Sequence, residues 1–475
     1  MGNLTLFWLA VVGLAMAGTG FGVRRVPGLE PFLVARRDVG IWTGGMSAAA
    51  TWIWAPALFI AAQKAYQQGL AGLFWFTAPN VGALVLFAFL ARRVRAVFPR
   101  GYTLPEYVAH RLDSRCHLAY LFTFLSLQIC SLAVQLVAGA AVLETFGGLD
   151  YVVGVLILSA GFTSYSLLDG LRASIRTDLL QMGIILAGMA ILIPMAANAA
   201  GGWETIRAGF AGAGGRFPHI WDGRVAYSFG ITVAIGLISG PVGDQQHWQR
   251  AFAFREGAVF RGYLLGAGIF ALVPLGMSIP GFLAAGSPAA APAVHAGLLP
   301  AQQVGPEVIR TLLPSWGMAL FLLMILSGLA STGDSALCAA GSLAAVDGYR
   351  RYLRPGADGA ALLRVSRAAI LAAALMATGI ALIPGVTILT LFLFYGTLRS
   401  ATFPTTLLLL YRKVLSPDAV FRGIAVAILF GMPTYLAGEL LDRVHWKVAA
   451  NLGIFLVAGG LPLLGFPRKG ERAGR

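Results

Sequence analysis

Apolar runs long enough to cross a lipid bilayer recur along the whole of this 475-residue chain, and no polar segment between them is long enough to fold as a soluble domain. A helix needs about 20 such residues to span the hydrocarbon core. Runs of that order lie near 4 to 22, 39 to 65, 70 to 91, 116 to 146, 151 to 168, 174 to 198, 227 to 249, 258 to 285, 307 to 346, 366 to 384, 386 to 411, 423 to 438 and 448 to 466, thirteen in all. Backbone buried in lipid must satisfy its own hydrogen bonds, and runs of this length do so as helices. Charged residues make up 12% of the chain, against roughly 25% in soluble domains, and mean hydropathy is +0.77. The predicted fold class is all-α integral membrane.

A net charge of +15 would by itself admit a nucleic-acid partner, but its distribution excludes one. With the amino terminus outside, 27 of the 35 Lys and Arg fall in loops on the cytoplasmic side. They are Arg24, Arg25, Arg36 and Arg37, six from Arg92 to Arg115, Arg172 and Arg176, then Arg250, Arg255 and Arg261, five from Arg350 to Arg367, then Arg412, Lys413 and Arg422, and four from Arg468. This is the positive-inside bias. It predicts an outside amino terminus and a cytoplasmic carboxyl terminus in a cell inner (plasma) membrane. The first run lacks a basic leader and is followed by arginines, so it reads as a spanning helix rather than a signal peptide. Cys116, Cys130 and Cys338 have no metal-ligand spacing and read as packing residues. No catalytic constellation is recognisable, and the chain is not read as an enzyme.

Two runs carry helix breakers at mid-membrane: Trp52-Ile53-Trp54-Ala55-Pro56 in the second and Ser239-Gly240-Pro241-Val242-Gly243 in the seventh. With the first run set aside as an extra, these are helices one and six of a ten-helix core, matching positions in two five-helix halves. Paired breaks of this kind are the sequence pointer to an inverted-repeat transporter with its binding site at the bilayer midplane. The division expected is an extra helix and loop over 1–38, a first repeat over 39–200, a second over 226–411, and two further helices with a tail over 412–475. A third polar interruption, Leu329-Ala330-Ser331-Thr332-Gly333-Asp334-Ser335, sets three hydroxyls and a carboxylate in an otherwise apolar helix. Intramembrane ionisable groups mark functional sites.

Several motifs, in order, resemble the sodium:solute symporter family. They are Thr103-Leu104-Pro105-Glu106-Tyr107, Arg176-Thr177-Asp178-Leu179-Leu180-Gln181, Asp244-Gln245-Gln246-His247-Trp248-Gln249-Arg250, and Ser331-Thr332 followed by Asp347-Gly348-Tyr349. Within the family the likeness is closest to the urea active transporter branch, through Ala65-Tyr66-Gln67-Gln68-Gly69 to Phe76 and Ala330-Ser331-Thr332-Gly333. The resemblance implies a LeuT-type five-plus-five core and a sodium-coupled symporter. Its coupling ion is Na⁺, without an organic cofactor, and its solute is a small polar molecule such as urea or a related nitrogen compound.

The family's shared sodium site, carried onto this chain, is formed by the carbonyls of Ala50, Ile53 and Gly328 with the side chains of Ser331 and Thr332. Neutral oxygens in that number suit a monovalent ion better than a carboxylate-rich site would. The position of a second ion in some relatives corresponds to Asp178, Ser331, Asp334 and Ser335. There Asp334 replaces the expected hydroxyl, and a second sodium, a proton or a salt bridge all satisfy the chemistry. Arg399, deep in its run, requires a partner: a carboxylate such as Asp334 or Asp244, or an anionic solute. Trp52, Trp54, Trp75 and Gln246 are the pocket candidates, with Gln63 and Tyr66 farther out, while Asp244 and His247 suit either a gate or a helix cap. A proton-coupled or anion-carrying symporter and a non-transporting solute sensor are the alternatives.

Overall fold

The computed structural model describes residues 28–386, 388–412 and 414–465, so the expected run 4 to 22, Lys413 and the tail from Arg468 lie outside the described residues. Among the described residues the fold is helical, with one isolated bridge between Val39 and Phe254. Nine helices there are long and apolar enough to cross a membrane.

In chain order the principal helices are α1 (Ile41–Trp52), α2 (Ala55–Val97), α3 (Leu104–Arg111), α4 (Ser114–Gly147), α5 (Tyr151–Asp169) and α6 (Leu171–Ala199). They continue as α7 (Gly223–Ile238), α8 (Gln245–Ala253), α9 (Val259–Gly286), α10 (Val304–Leu312), α11 (Ser315–Leu353), α12 (Gly359–Ala381), α13 (Ile388–Tyr411), α14 (Pro417–Leu440) and α15 (Val444–Leu464). α2 is two core helices joined at Gly69, whose φ of 60° and ψ of −144° are open to glycine and strained for other residues. The described helices therefore follow the predicted runs, with two differences. The expected run 307 to 346 is divided at Pro314 into the short amphipathic α10 and the spanning α11, because proline ends one helix and starts the next. The expected run 227 to 249 is two half-helices, α7 and α8.

The first core helix stops at Trp52 and restarts at Ala55. Pro56 has no N–H to return to the Trp52 carbonyl, and Ile53 and Trp54 leave helical geometry. The freed groups find partners: Ala55 N–H donates to Gln135 Oε1 at 3.0 Å, and the Thr51 and Ile53 carbonyls accept from Thr332 Oγ1 at 3.2 Å each. In the sixth, Pro241 interrupts the ladder. Asp244 then caps α8, accepting from Gln246 N–H at 3.0 Å, and Trp248 Nε1 donates to the freed Val242 carbonyl at 2.7 Å.

Glycines let these helices meet. A Cβ at Gly240 would lie 2.2 Å from the Trp52 ring, so the two breaks touch there. α9 crosses the second half of the first core helix at Gly281, where a Cβ would lie 2.0 Å from the Ala62 carbonyl oxygen. Close backbone approach at small residues is how helices associate without a hydrophobic drive between them. Gly281→Ala is therefore expected to destabilise the protein by about 1–3 kcal/mol through overpacking, read as a lowered melting temperature in detergent, whereas Gly276→Ala, which meets only the flexible end of Met189, should cost less.

Candidate functional site

Four helices bring their polar residues together where α1 ends. From α11, Ser331 Oγ donates to Asp178 Oδ1 at 2.5 Å, and Ser47 of α1 donates to Asp178 Oδ2 at 2.5 Å. Asp178 lies on α6 and is fully buried. Asp334 faces the same cluster, accepting from Ser174 Oγ at 2.6 Å and Thr177 Oγ1 at 3.2 Å. Ser335 donates to the Ser331 carbonyl at 2.5 Å and lies 3.5 Å from Thr51 Oγ1.

Arg250 enters this cluster from α8. Its guanidinium donates to Asp178 Oδ2 at 2.8 Å, Ser335 Oγ at 2.7 Å, Ser174 Oγ at 3.0 Å and Ser47 Oγ at 2.8 Å. The sequence expectation that Arg250 sits in a cytoplasmic loop is thereby corrected, since it is 1% exposed. The break at Ser239–Gly243 is the reason: restarting the helix at Gln245 carries Arg250 less than two turns past the break, still inside the protein. That break was legible, and extending it would have found the arginine. Ser47 and Ser174, also part of the cluster, carry no motif of their own, whereas Thr177 stands inside the Arg176–Gln181 motif.

Of the five residues expected to form a sodium site, the structure brings Thr332 and Gly328 of α11 against Ile53 at the first break. Thr332 Oγ1 reaches the Ile53 carbonyl across the break, and Ala50's carbonyl closes the end of α1 by accepting from Ile53 N–H at 3.0 Å. Gly328 leaves room beside that carbonyl, since a Cβ there would lie 3.5 Å from the Ile53 oxygen and 2.9 Å from Leu58. The donor set of carbonyls and hydroxyls fits a small monovalent cation. Ser331 turns its hydroxyl to Asp178 and so joins this oxygen set to the carboxylate cluster.

A second buried pair lies beside the break of the sixth helix. Arg399 Nη2 donates to Asp244 Oδ2 at 2.7 Å, and Tyr395 O–H donates to the same oxygen at 2.5 Å. Of the two carboxylates expected as partners for Arg399, the structure pairs it with Asp244. Its guanidinium carbon sits 5.4 Å from the ring centres of both Trp52 and Trp54 and 3.5 Å from that of Tyr395, a cation enclosed by aromatic faces. His247 packs edge-on to Trp52 at 5.2 Å. Gln246 Nε2 donates to Ser131 Oγ at 3.1 Å, and Gln128 Nε2 to Asp244 Oδ1 at 3.1 Å. Trp75 is placed apart from this box, its ring against Gly230 in α7. Gln63 lines a cleft of about 100 Å³ that reaches Ala55 and Pro56, whereas Tyr66 packs on His295. The space beside Trp54, Tyr395 and Arg399 is about 30 Å³, room for little more than water.

Buried polar atoms without a hydrogen-bond partner among the described residues cluster here: Trp52 Nε1, Ser239 Oγ, His247 Nδ1, Gln128 Oε1 and Arg399 Nε. Such groups cost free energy when left unsatisfied.

Two interrupted helices meeting at buried oxygens and ion pairs define the class: an all-α, multi-pass membrane protein of the LeuT-type five-plus-five fold. Residues 32–426 match the sodium:solute symporter family, and the chain belongs to that family. A urea-proton symporter of rice (Oryza sativa subsp. japonica) is 26% identical, covering 86% of this chain and 62% of that protein. A urea active transporter of Saccharomyces cerevisiae is 25% identical over 72% of this chain and 49% of that protein, and a sodium/pantothenate symporter of Escherichia coli is 27% identical over 54% of each. The chain thus spans about half to three-fifths of the length of these relatives. Among solved structures, a Na⁺-coupled sialic acid symporter superposes with a TM-score of 0.78 over 98% of both chains at 18% identity.

Removing one partner of a buried ion pair leaves the other charge unpaired. Arg399→Gln is expected to abolish solute uptake. Because that variant strands Asp244, the double variant Arg399→Gln with Asp244→Asn is expected to recover a near-normal melting temperature without recovering uptake, and wild-type uptake in either would show that the pair has no role in transport.

Proposed function

We propose that this protein is a cation-coupled secondary symporter that brings a small neutral polar solute, urea or a related nitrogen compound, across the cell membrane by alternating access. The observation that carries the reading is the charge count at the end of α1. Asp178 and Asp334 face one guanidinium, that of Arg250, so with both carboxylates ionised one negative charge is unbalanced in a water-poor interior. A single monovalent cation or proton removes that imbalance, and the carbonyl and hydroxyl oxygens of Ala50, Ile53, Gly328, Ser331 and Thr332 adjoin it. Arg250 takes the salt-bridge role at the second position, which favours one coupling ion over two.

Na⁺ is the first reading because its oxygen set lies beside the break, as in a family named for sodium coupling. The driving force is adequate: about 2.3 kcal/mol per charge at 100 mV accumulates a neutral solute roughly 50-fold. Proton coupling through Asp334 is the second reading, favoured by the carboxylate standing where a hydroxyl is expected and by the rice relative, a urea-proton symporter. A neutral solute is favoured over an anion because Asp244 already neutralises Arg399, so an anion would have to displace a buried carboxylate. Urea offers one carbonyl acceptor and several N–H donors, which complement the unpartnered Trp52 Nε1 and Arg399 Nε donors and the Gln128 Oε1 acceptor. The outer cleft along Gln63 supplies an approach from outside, given a cytoplasmic carboxyl terminus.

The test is uptake of labelled urea into proteoliposomes under an inward Na⁺ gradient at equal pH, and under a pH gradient without Na⁺. Stimulation by Na⁺ is expected, and Ser331→Ala with Thr332→Ala should remove it. Stimulation by the pH gradient alone, lost in Asp334→Asn, establishes the proton reading instead. Flux indifferent to both gradients overturns coupling, and absence of urea flux with uptake of another solute overturns the substrate.

A further inference from the structure

On the arginine-rich side of the protein, away from both ion pairs, a basin of about 1210 Å³ opens between the end of α2 and the start of α9. Arg37, Arg92, Arg95, Arg255 and Arg261 line it, against a single carboxylate, Glu256. Two of the arginines are fixed in its wall. Arg37 donates to the carbonyls of Gly101 and Arg100 at 2.9 and 3.0 Å and pairs with Glu30, and Arg95 donates to the Phe254 carbonyl at 3.1 Å. The guanidinium groups of Arg92, Arg255 and Arg261 have no hydrogen-bond or ion-pair partner among the described residues, and Arg92 meets only the face of Phe260, at 5.6 Å.

Like charges gathered around a cavity repel one another unless an anion is bound there. We propose that this basin binds the phosphate headgroup of an anionic phospholipid of the inner leaflet. A phosphate diester carries one negative charge and oxygens that accept from the planar guanidinium fork, the pairing for which arginine is best suited. What separates a lipid from a soluble phosphate is the surface beside the basin. Phe89 precedes Arg92 by three residues and Leu264 follows Arg261 by three, so each arginine shares a helix face with an apolar neighbour. Phe89 is 52% exposed and Leu264 37%. Phe89 and Phe260 close the seam between α2 and α9 edge to face at 5.0 Å. A headgroup in the basin therefore has an exposed apolar track for its acyl chains, in the arrangement by which basic pockets between spanning helices hold anionic lipids.

The experiment places the full-length protein in nanodiscs of phosphatidylcholine with and without phosphatidylglycerol. It measures bound lipid by native mass spectrometry and the melting temperature of each sample. Wild-type protein is expected to retain phosphatidylglycerol and to gain thermal stability from it. The variant Arg92→Gln, Arg255→Gln, Arg261→Gln changes only arginines without a hydrogen-bond or ion-pair partner among the described residues. It should match the wild-type melting temperature in phosphatidylcholine and bind phosphatidylglycerol roughly 100-fold more weakly, at about fivefold for each surface arginine lost. Equal retention of phosphatidylcholine, or undiminished phosphatidylglycerol binding by the variant, overturns the proposal. Equal stabilisation by inorganic phosphate in the phosphatidylcholine discs assigns the basin to a soluble anion and overturns it as well.

Discussion

Interrupting a helix inside a bilayer frees carbonyls at one end and amides at the other, and no water is at hand to take them up. The arrangement around the two breaks is the answer to that constraint. Gln135 reaches from α4 to the Ala55 amide, Thr332 reaches from α11 to two carbonyls of the first break, and Trp248 folds back from α8 onto Val242. The first two contacts tie the first break to other helices, and the third closes the second break within its own helix, so the packing of the core is organised around the interruptions. Gly240 and Gly328, which lack a Cβ where Trp52 and Ile53 come close, belong to the same solution.

α8 carries the electrostatic consequences. This nine-residue helix presents Arg250 to Asp178 of α6, and its capping residue Asp244 pairs with Arg399 of α13. Buried ion pairs are weak sources of stability because desolvation offsets most of the attraction, but they are geometrically exacting. Here they fix the inner half of the sixth core helix between two neighbours. Any displacement of this half-helix has to break or carry both pairs.

Much of this was legible in the chain. Prolines at 56 and 241, each inside an apolar run, announced both breaks, and the hydroxyls of Ser331 and Thr332 announced the oxygen cluster, because both depart from what a lipid-embedded helix tolerates. Arg399 declared its need for a carboxylate, though sequence alone did not choose between Asp244 and Asp334. Arg250 was misplaced for a different reason. Loop assignment by charge counts an arginine near a span end as solvated, and only the three-dimensional course of the broken helix reveals that this position is interior. Ser47 and Ser174 were silent for a related reason: a single serine hydroxyl in a helix forms an unremarked bond to its own backbone as readily as a bond across helices.

The two arginine environments are joined by the same short element. Arg250 lies within the carboxylate cluster and Arg255 lies at the basin, five residues apart, with the end of α8 and the Val39–Phe254 bridge between them. Arg250 is on this helix of about 13 Å, and Arg255 follows its end by two residues, with Val39 accepting from the Arg255 N–H at 3.0 Å and donating to the Ala253 carbonyl at 3.1 Å. Whatever Arg255 meets at the basin therefore lies two residues beyond the helix that presents Arg250 to Asp178.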